Sequence, residues 1–293
     1  MNAAVKHPIT PREKLDFRLD VTIPRYWMGG DPFKTRLMDA IFVSFPEGER
    51  YFMSSVRQFR DRITDPALLA DVKAFNRQEA QHGIVHTAFN DLLRAQGLPV
   101  DAIDDEQRRR LGALLQHRSP EFNLAITAAC EHVTALMAEA FFADAEKMKD
   151  ADYRVRAMLA WHAMEEMEHK AVAFDTMQEV AKVGYGMRAA TMIILTVMFV
   201  TLRVRDTDRF LGADGYSRRE RLTMMGKGLW WTFGPKGVLS SMFRPWLAYF
   251  RPGFHPWQQE ALPQYRLWLE TYQRTGDPLQ AAEALFAAGP GRA

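Results

Sequence analysis

Two stretches carry the residues whose types and spacing could do chemistry. "NRQEAQHGIVH" at 76–86 holds Glu79 and His82, three positions apart, and "WHAMEEMEHKAVAF" at 161–174 holds Glu166 and His169 at the same spacing. On an α-helix this spacing puts a carboxylate and an imidazole on one face, so that both reach the same metal ion. A single Glu-x-x-His is common on helices and says little. Here the pair occurs twice, and each copy follows a lone glutamate on the preceding helix: Glu49 comes 30 residues before Glu79, and Glu131 comes 35 before Glu166.

Helix-bundle sites of the dinuclear carboxylate type use this set, one Glu from each of two helices and a Glu-x-x-His from each of the other two. The surroundings agree with a buried site. Val72, Phe75, Glu79, His82, His86 and Phe89 step along one face, as do Val155, Leu159, His162, Glu166 and His169. Leu124, Thr127, Ala128, Glu131 and Ala135 form an apolar, small-residue stripe with one carboxylate in its middle. Burying that carboxylate alone would be costly. Four carboxylates with two imidazoles, gathered on two divalent ions, would compensate one another. The competing reading is a bundle whose interior polar residues bind only each other, and the duplication weighs against it.

Other residues are graded against this set. His86, four positions after His82, and His162, four before Glu166, lie on the same faces and are taken as further ligands, the alternative being orienting or core histidines. A third metal stays open. Glu165 and Glu168 flank the ligand face as groups behind the ligands or in solvent, and Glu165 is the tentative catalytic residue, a candidate base. Glu47 replaces Glu49 if a kink turns the helix. His132 reads as an orienting or surface residue, Asp175 as an acceptor for an imidazole N–H, and the methionines of 158–177 as core filler.

The elements that must position these residues follow from helical periodicity, which dominates the chain. A first helix is expected over 34–62, kinked at "FPEGER" by Pro46 and Gly48. A second opens at Asp65-Pro66 and closes near Gly97, and a third runs from Ser119-Pro120 to about 149. A fourth covers 151–182, and the charged connection 98–118 carries at most a short helix. The expected fold is all-α, a ferritin-like four-helix bundle over 31–186. An N-terminal arm covers 1–30, and a helical, aromatic-rich extension over 187–293 packs on the bundle.

Composition narrows the function classes. The 293 residues are 47% hydrophobic and 25% charged with a formal net charge of +2, an ordinary globular balance that argues against a nucleic-acid binder. The single cysteine, Cys130, fits a reducing compartment and leaves any metal to His and carboxylates. "MNAAVKHPITPREKLDF" lacks the apolar region of a secretory signal, so a cytoplasmic location is expected. The uncharged run at 189–202 is short for a membrane span and reads as a buried core helix over 187–204, and the "RVRDTDRFLGADGYSRRERL" that follows reads as exposed. The aromatic and basic stretch at 226–257 reads as a cap on the bundle, with peripheral contact to the inner membrane through 187–257 as the alternative.

"FPEGERYF", "RQEAQHGIVH", "EHVTA" and "HAMEEMEHKAVAFD" together resemble the bacterial family catalogued as predicted metal-dependent hydrolases, over about 25–260. The resemblance implies a ferritin-like metal-binding bundle with Glu49, Glu79, His82, Glu131, Glu166 and His169 at its motif positions. The His-x-x-x-Glu-x-x-His order from His162 also resembles the extra-histidine helix of di-iron N-oxygenases. The expected function is that of a dinuclear metal enzyme, two irons foremost and Mn or Zn as alternatives, oxidising a hydrophobic small molecule or lipid-like substrate with O2. In that reading Glu131 or Glu49 bridges the ions. A hydrolase with a metal-activated water is the first alternative, and a non-enzymatic metal-binding protein the second. A homodimer is left open.

Overall fold

The structure, a computed structural model, describes residues 7–259, 262 and 264–288; the first six residues of the expected arm lie outside them. Among the described residues the fold is all-α, and the only extended pairing is an isolated bridge between Met28 and Ala151. The expected first helix is two. α1 (Pro32–Phe42) begins at Asp31, whose side chain accepts from Lys34 N, and α2 (Phe45–Arg57) follows after Val43-Ser44. Pro46 has no N–H to offer Phe42, and its ring would clash there, so α1 stops rather than bends. Ser44 Oγ donates to the Ile41 carbonyl at 2.7 Å and closes the end.

α3 (Pro66–Ala95) starts at the Asp65 cap, and beyond its end Gly97 sits at a φ of +84°, a left-handed position that glycine takes without a Cβ penalty. The expected loop 98–118 is largely α4 (Val100–His117). α5 (Pro120–Phe142) ends seven residues before the expected 149, where Lys147 Nζ donates to the Ala140 carbonyl at 2.6 Å. α6 (Tyr153–His169) also ends early. It is followed by α7 (Val172–Asp175) and a π-turn over Thr176–Val180, not by one helix to 182.

α8 (Tyr185–Ala213) runs past the expected 204, because the charges of "RVRDTDRFLG" are paired. Arg203 and Asp206 meet at 3.1 Å, and Arg205 and Arg209 both hold Glu106 of α4. Those residues were expected in an exposed segment, yet Arg203, Asp206, Phe210 and Leu211 are buried. The expectation for 189–202 fails in the opposite sense. One face of α8 packs on α1 and α5, but Ile193, Ile194 and Val197 are exposed, so the run is not a buried core helix. α9 (Arg218–Phe233) opens with a Ser217/Glu220 capping box, and Gly228 lets it approach α1, since a Cβ there would lie 2.2 Å from the Phe33 ring. α10 (Phe243–Ala248) follows, and α11 (Tyr265–Thr275) and α12 (Pro278–Ala287) form a hairpin whose second helix packs on α6.

α2, α3, α5 and α6 pack against one another and enclose the interior. Their apolar side chains fall into two clusters. Phe89, Leu93, Ala135, Met158 and Trp161 belong to one, and Tyr51, Phe75, Leu124, Ala128 and Phe174 to the other. On α3 and α5 the two clusters flank Glu79, His82 and Glu131, so the core is interrupted by a polar band.

Candidate metal centre

The band gathers all eight expected ligands. Glu49 comes from α2, Glu79, His82 and His86 from α3, Glu131 from α5, and His162, Glu166 and His169 from α6. None is more than 8% exposed. Donor atoms of Glu79, Glu131, Glu166 and His169 lie within 4.8 Å of one another, and so do those of Glu49, Glu79 and His82. Two further sets of the same size are Glu49, His86, His162 and His82, His162, Glu166. Glu79 is common to the His169 set and the Glu49–His82 set, Glu166 to the His169 set and the His82–His162 set, and Glu49 to the Glu79–His82 set and the His86–His162 set. For Glu79 this follows from helix geometry, since it sits one turn before His82 while facing His169 across the bundle.

His169 Nε2 lies 3.2 Å from Glu79, 3.3 Å from Glu131 and 3.5 Å from Glu166. His82 Nδ1 is 3.5 Å from Glu79, and His162 Nε2 is 3.0 Å from Glu166. Metal–donor bonds of about 2.1 Å at tetrahedral or octahedral angles put neighbouring donors about 3.0–3.4 Å apart. Both oxygens of Glu49 and of Glu131, Glu79 Oε1, His82 Nδ1, His86 Nδ1 and His169 Nε2 are buried without a hydrogen-bond partner. Buried polar atoms are rarely left so, and each costs about 1–3 kcal/mol when unpaired. The orphan atoms are N and O donors pointing at one another, so the residues fit a carboxylate–imidazole metal centre.

The outward nitrogens, by contrast, are held. Glu165 Oε2 lies 3.1 Å from His82 Nε2, and Gln78 Oε1 lies 2.8 Å from His169 Nδ1. Gln78 Nε2 donates to Glu168 Oε2 at 2.7 Å. Arg12, from the N-terminal arm, donates to Glu165 at 3.0 Å and to Glu168 at 2.7 Å. Tyr265 of α11 donates its hydroxyl to Glu168 at 2.6 Å, and the Arg12 guanidinium lies 5.2 Å over the Trp268 ring. Each imidazole therefore has one nitrogen fixed and the other turned inward, the arrangement that orients metal-ligating histidines.

Electrostatics reflect the crowding. Burial pushes Glu131 up to about 8, helped by Glu166, and carries Glu49 well above the usual carboxylate range. Burial alone would raise Glu166, but His169 and His162 hold it well below that range. Burial would depress His82, yet its bonds to Glu165 and Glu79 outweigh this and raise it to about 10. Burial lowers His86 and His162. Those two rings spend nitrogens on each other, with His86 Nε2 2.8 Å from His162 Nδ1, so ligation through these atoms requires that bond to open.

Several expectations change. Both Glu165 oxygens are engaged, by Arg12 and His82, so it is neither solvated nor a free base. Glu168 is likewise fully buried. Glu47 pairs with Arg50 and Arg108 on α4, which leaves Glu49 facing the band. His132 is buried against Tyr249 and Phe254, away from the band, while Asp175 does accept from an imidazole, that of His255 at 2.7 Å. Met158, Met164, Met167 and Met177 are core residues. Sequence reasoning missed Thr134, whose hydroxyl donates to Glu166 Oε2 at 2.6 Å, although it stands one turn after Glu131. It also missed Gln78, beside Glu79, and Arg12, for which no local signal exists.

An inner cavity of about 80 Å³ reaches the band at Glu49, Glu79, His162 and Glu166 and is otherwise lined mainly by apolar groups such as Phe45, Phe52, Ile126 and Met137. An outer cavity of about 630 Å³ lies between α8 and residues 232–246. Val133, Met137, Leu195, Phe199 and Arg203 line both.

A helical scaffold with a buried four-carboxylate, four-imidazole band defines a candidate metal-dependent enzyme. The chain belongs to the family described as predicted metal-dependent hydrolase, which matches residues 11–260. No curated protein and no solved structure matches it.

Proposed function

We propose that this chain is a dinuclear metal-dependent hydrolase acting on a substrate with an apolar body. One observation carries the reading: a band of unpartnered carboxylate and imidazole donors opens onto an apolar cavity. Glu49, Glu79, His82, Glu131, Glu166 and His169 would hold the ions, with His86 and His162 as further donors once their mutual bond opens. A bound pair of divalent ions supplies an acidified water and a Lewis acid or, were the ions iron, electrons for O2.

The chain's own residues do the rest. Phe45, Phe52, Ile126 and Met137 take the apolar part of the substrate and exclude bulk water. Thr134 pins one oxygen of Glu166, and Glu165 and Gln78 fix the rings of His82 and His169, so the donors are set before substrate arrives. His162 lines the inner cavity with Nε2 3.0 Å from Glu166 and Nδ1 2.8 Å from His86, so in the metal-free band it links the two side chains.

Oxidation with O2 is a second reading, favoured by the ligand types and by the apolar lining of the inner cavity. One experiment separates the two. Protein is purified without chelator, its metal content measured, and the metal-loaded form assayed against medium-chain esters with and without O2. Ester cleavage without O2, lost in Glu131→Ala together with the metal, supports hydrolysis. Two irons with turnover only in O2 would overturn it in favour of oxidation, and full metal occupancy in Glu131→Ala and His169→Ala would overturn the ligand assignment.

A further inference from the structure

The outer cavity is bordered by exposed apolar side chains. Phe233 and Phe243 line that cavity and are 51% and 63% exposed. Around them Trp230 is 71%, Val197 62%, Ile193 51% and Leu247 45% exposed. These side chains come from α8, α9 and α10, and Trp246 Nε1 bonds Thr196 Oγ1 at 3.0 Å to tie α10 to α8. Isolated surface hydrophobes need no explanation, but a group of this size around a cavity mouth does.

Charge says what the surface faces. From 221 to 259 the chain contains no Asp or Glu, while Lys227, Lys236, Arg244 and Arg251 fall within it, along with Arg221, which Asp208 pairs at 2.8 Å. The apolar stretch of α8, 185–202, has no acid either, and its one cation, Arg188, is buried. Lys227, Lys236 and Arg244 are exposed. The cleft beside Lys236 holds Glu146 and Asp150, and Lys34 and Lys147 join Lys236 there, so that edge is not acidic either. Trp, Phe and aliphatic side chains bordered by cations suit an anionic lipid interface, where rings sit at headgroup depth and each cation adds to binding. The α8 face packed on α1 and α5 makes this a surface contact rather than a span.

We infer that the α8–α9–α10 face docks on an anionic bilayer and that the outer cavity takes its apolar substrate from the lipid side. The docking is independent of the chemistry; only the delivery of substrate rests on the proposed function.

Flotation of the full chain with vesicles of phosphatidylcholine alone, and of equal parts phosphatidylcholine and phosphatidylglycerol, tests it. The protein floats with the anionic vesicles and about tenfold less with the neutral ones. Phe243→Glu loses at least tenfold, and Lys227→Glu, Lys236→Glu and Arg244→Glu lose about fivefold each, all with unchanged helicity by circular dichroism. Brominated lipid quenches wild-type tryptophan fluorescence more than that of Trp230→Phe. Equal flotation of Phe243→Glu and wild type, or none with anionic vesicles, overturns the proposal. A dimer in solution that Phe243→Glu dissociates, with flotation unchanged, assigns the face to a second copy instead. Glu131→Ala still floats, so failure of docking and failure of the metal reading are told apart.

Discussion

Arg12 donates to Glu165 at 3.0 Å across 153 positions of chain, and both side chains are buried. The other oxygen of Glu165 is on His82, and the same guanidinium holds Glu168, which reaches His169 through Gln78. One arginine from the arm thus stands behind an imidazole of each Glu-x-x-His pair. Replacing it with Gln should lower metal affinity about 10–100-fold without touching a donor. Competition against a chelator measures this; Arg12→Lys, which keeps the charge but not the fork, should fall between. Unchanged affinity in Arg12→Gln would remove its positioning role.

Glu49 has both oxygens buried and unpartnered. In metal-free protein Glu49→Gln should therefore raise stability, by roughly 1–3 kcal/mol, because the costly buried acid is gone. Metal should then no longer stabilise the variant as it does wild type. Thermal melts with and without metal report both effects, and an apo form destabilised by Glu49→Gln would contradict the assignment.

Metal must displace protons here. At neutral pH the metal-free band retains them on Glu131, pushed up to about 8, and on His82, raised to about 10. Metal affinity should rise with pH toward about 8 and beyond, with protons released on binding. Calorimetry in two buffers of different ionisation enthalpy counts them. Release of none would mean the donors are already deprotonated.

His132 gives a pH dependence away from the band. Burial lowers it to about 4 from 6.5, so the folded form prefers it neutral. Its contribution is fully present above about 6.5 and is lost as pH falls toward about 4, on the order of 3 kcal/mol. His132→Phe, which keeps a ring against Tyr249 and Phe254, should flatten this part of the acid-unfolding profile.

Gly228→Ala places a methyl 2.2 Å from the Phe33 ring and should cost about 1–3 kcal/mol. Phe33→Leu should recover part of that loss in the double variant, as denaturant midpoints would show. An additive loss would mean that the clash is relieved elsewhere.

Much of the band is legible in the chain because helical spacing is a local property. Glu79 and His82, like Glu166 and His169, stand three positions apart whatever the rest of the molecule does, and the stripes around them mark which face turns inward. The all-α class and the caps at Asp65 and Ser119 are read from neighbouring residues in the same way. Only tertiary structure decides which buried carboxylates face the band and which face cations. Glu49 and Glu47 are two residues apart, yet Arg108 of another helix claims Glu47; Glu165 and Glu166 are adjacent, yet Arg12 claims Glu165. The open face of α8 depends likewise on what packs beside it. Spacing sets where side chains point along a helix, while burial and partners, which come from distant parts of the chain, set what each group can do.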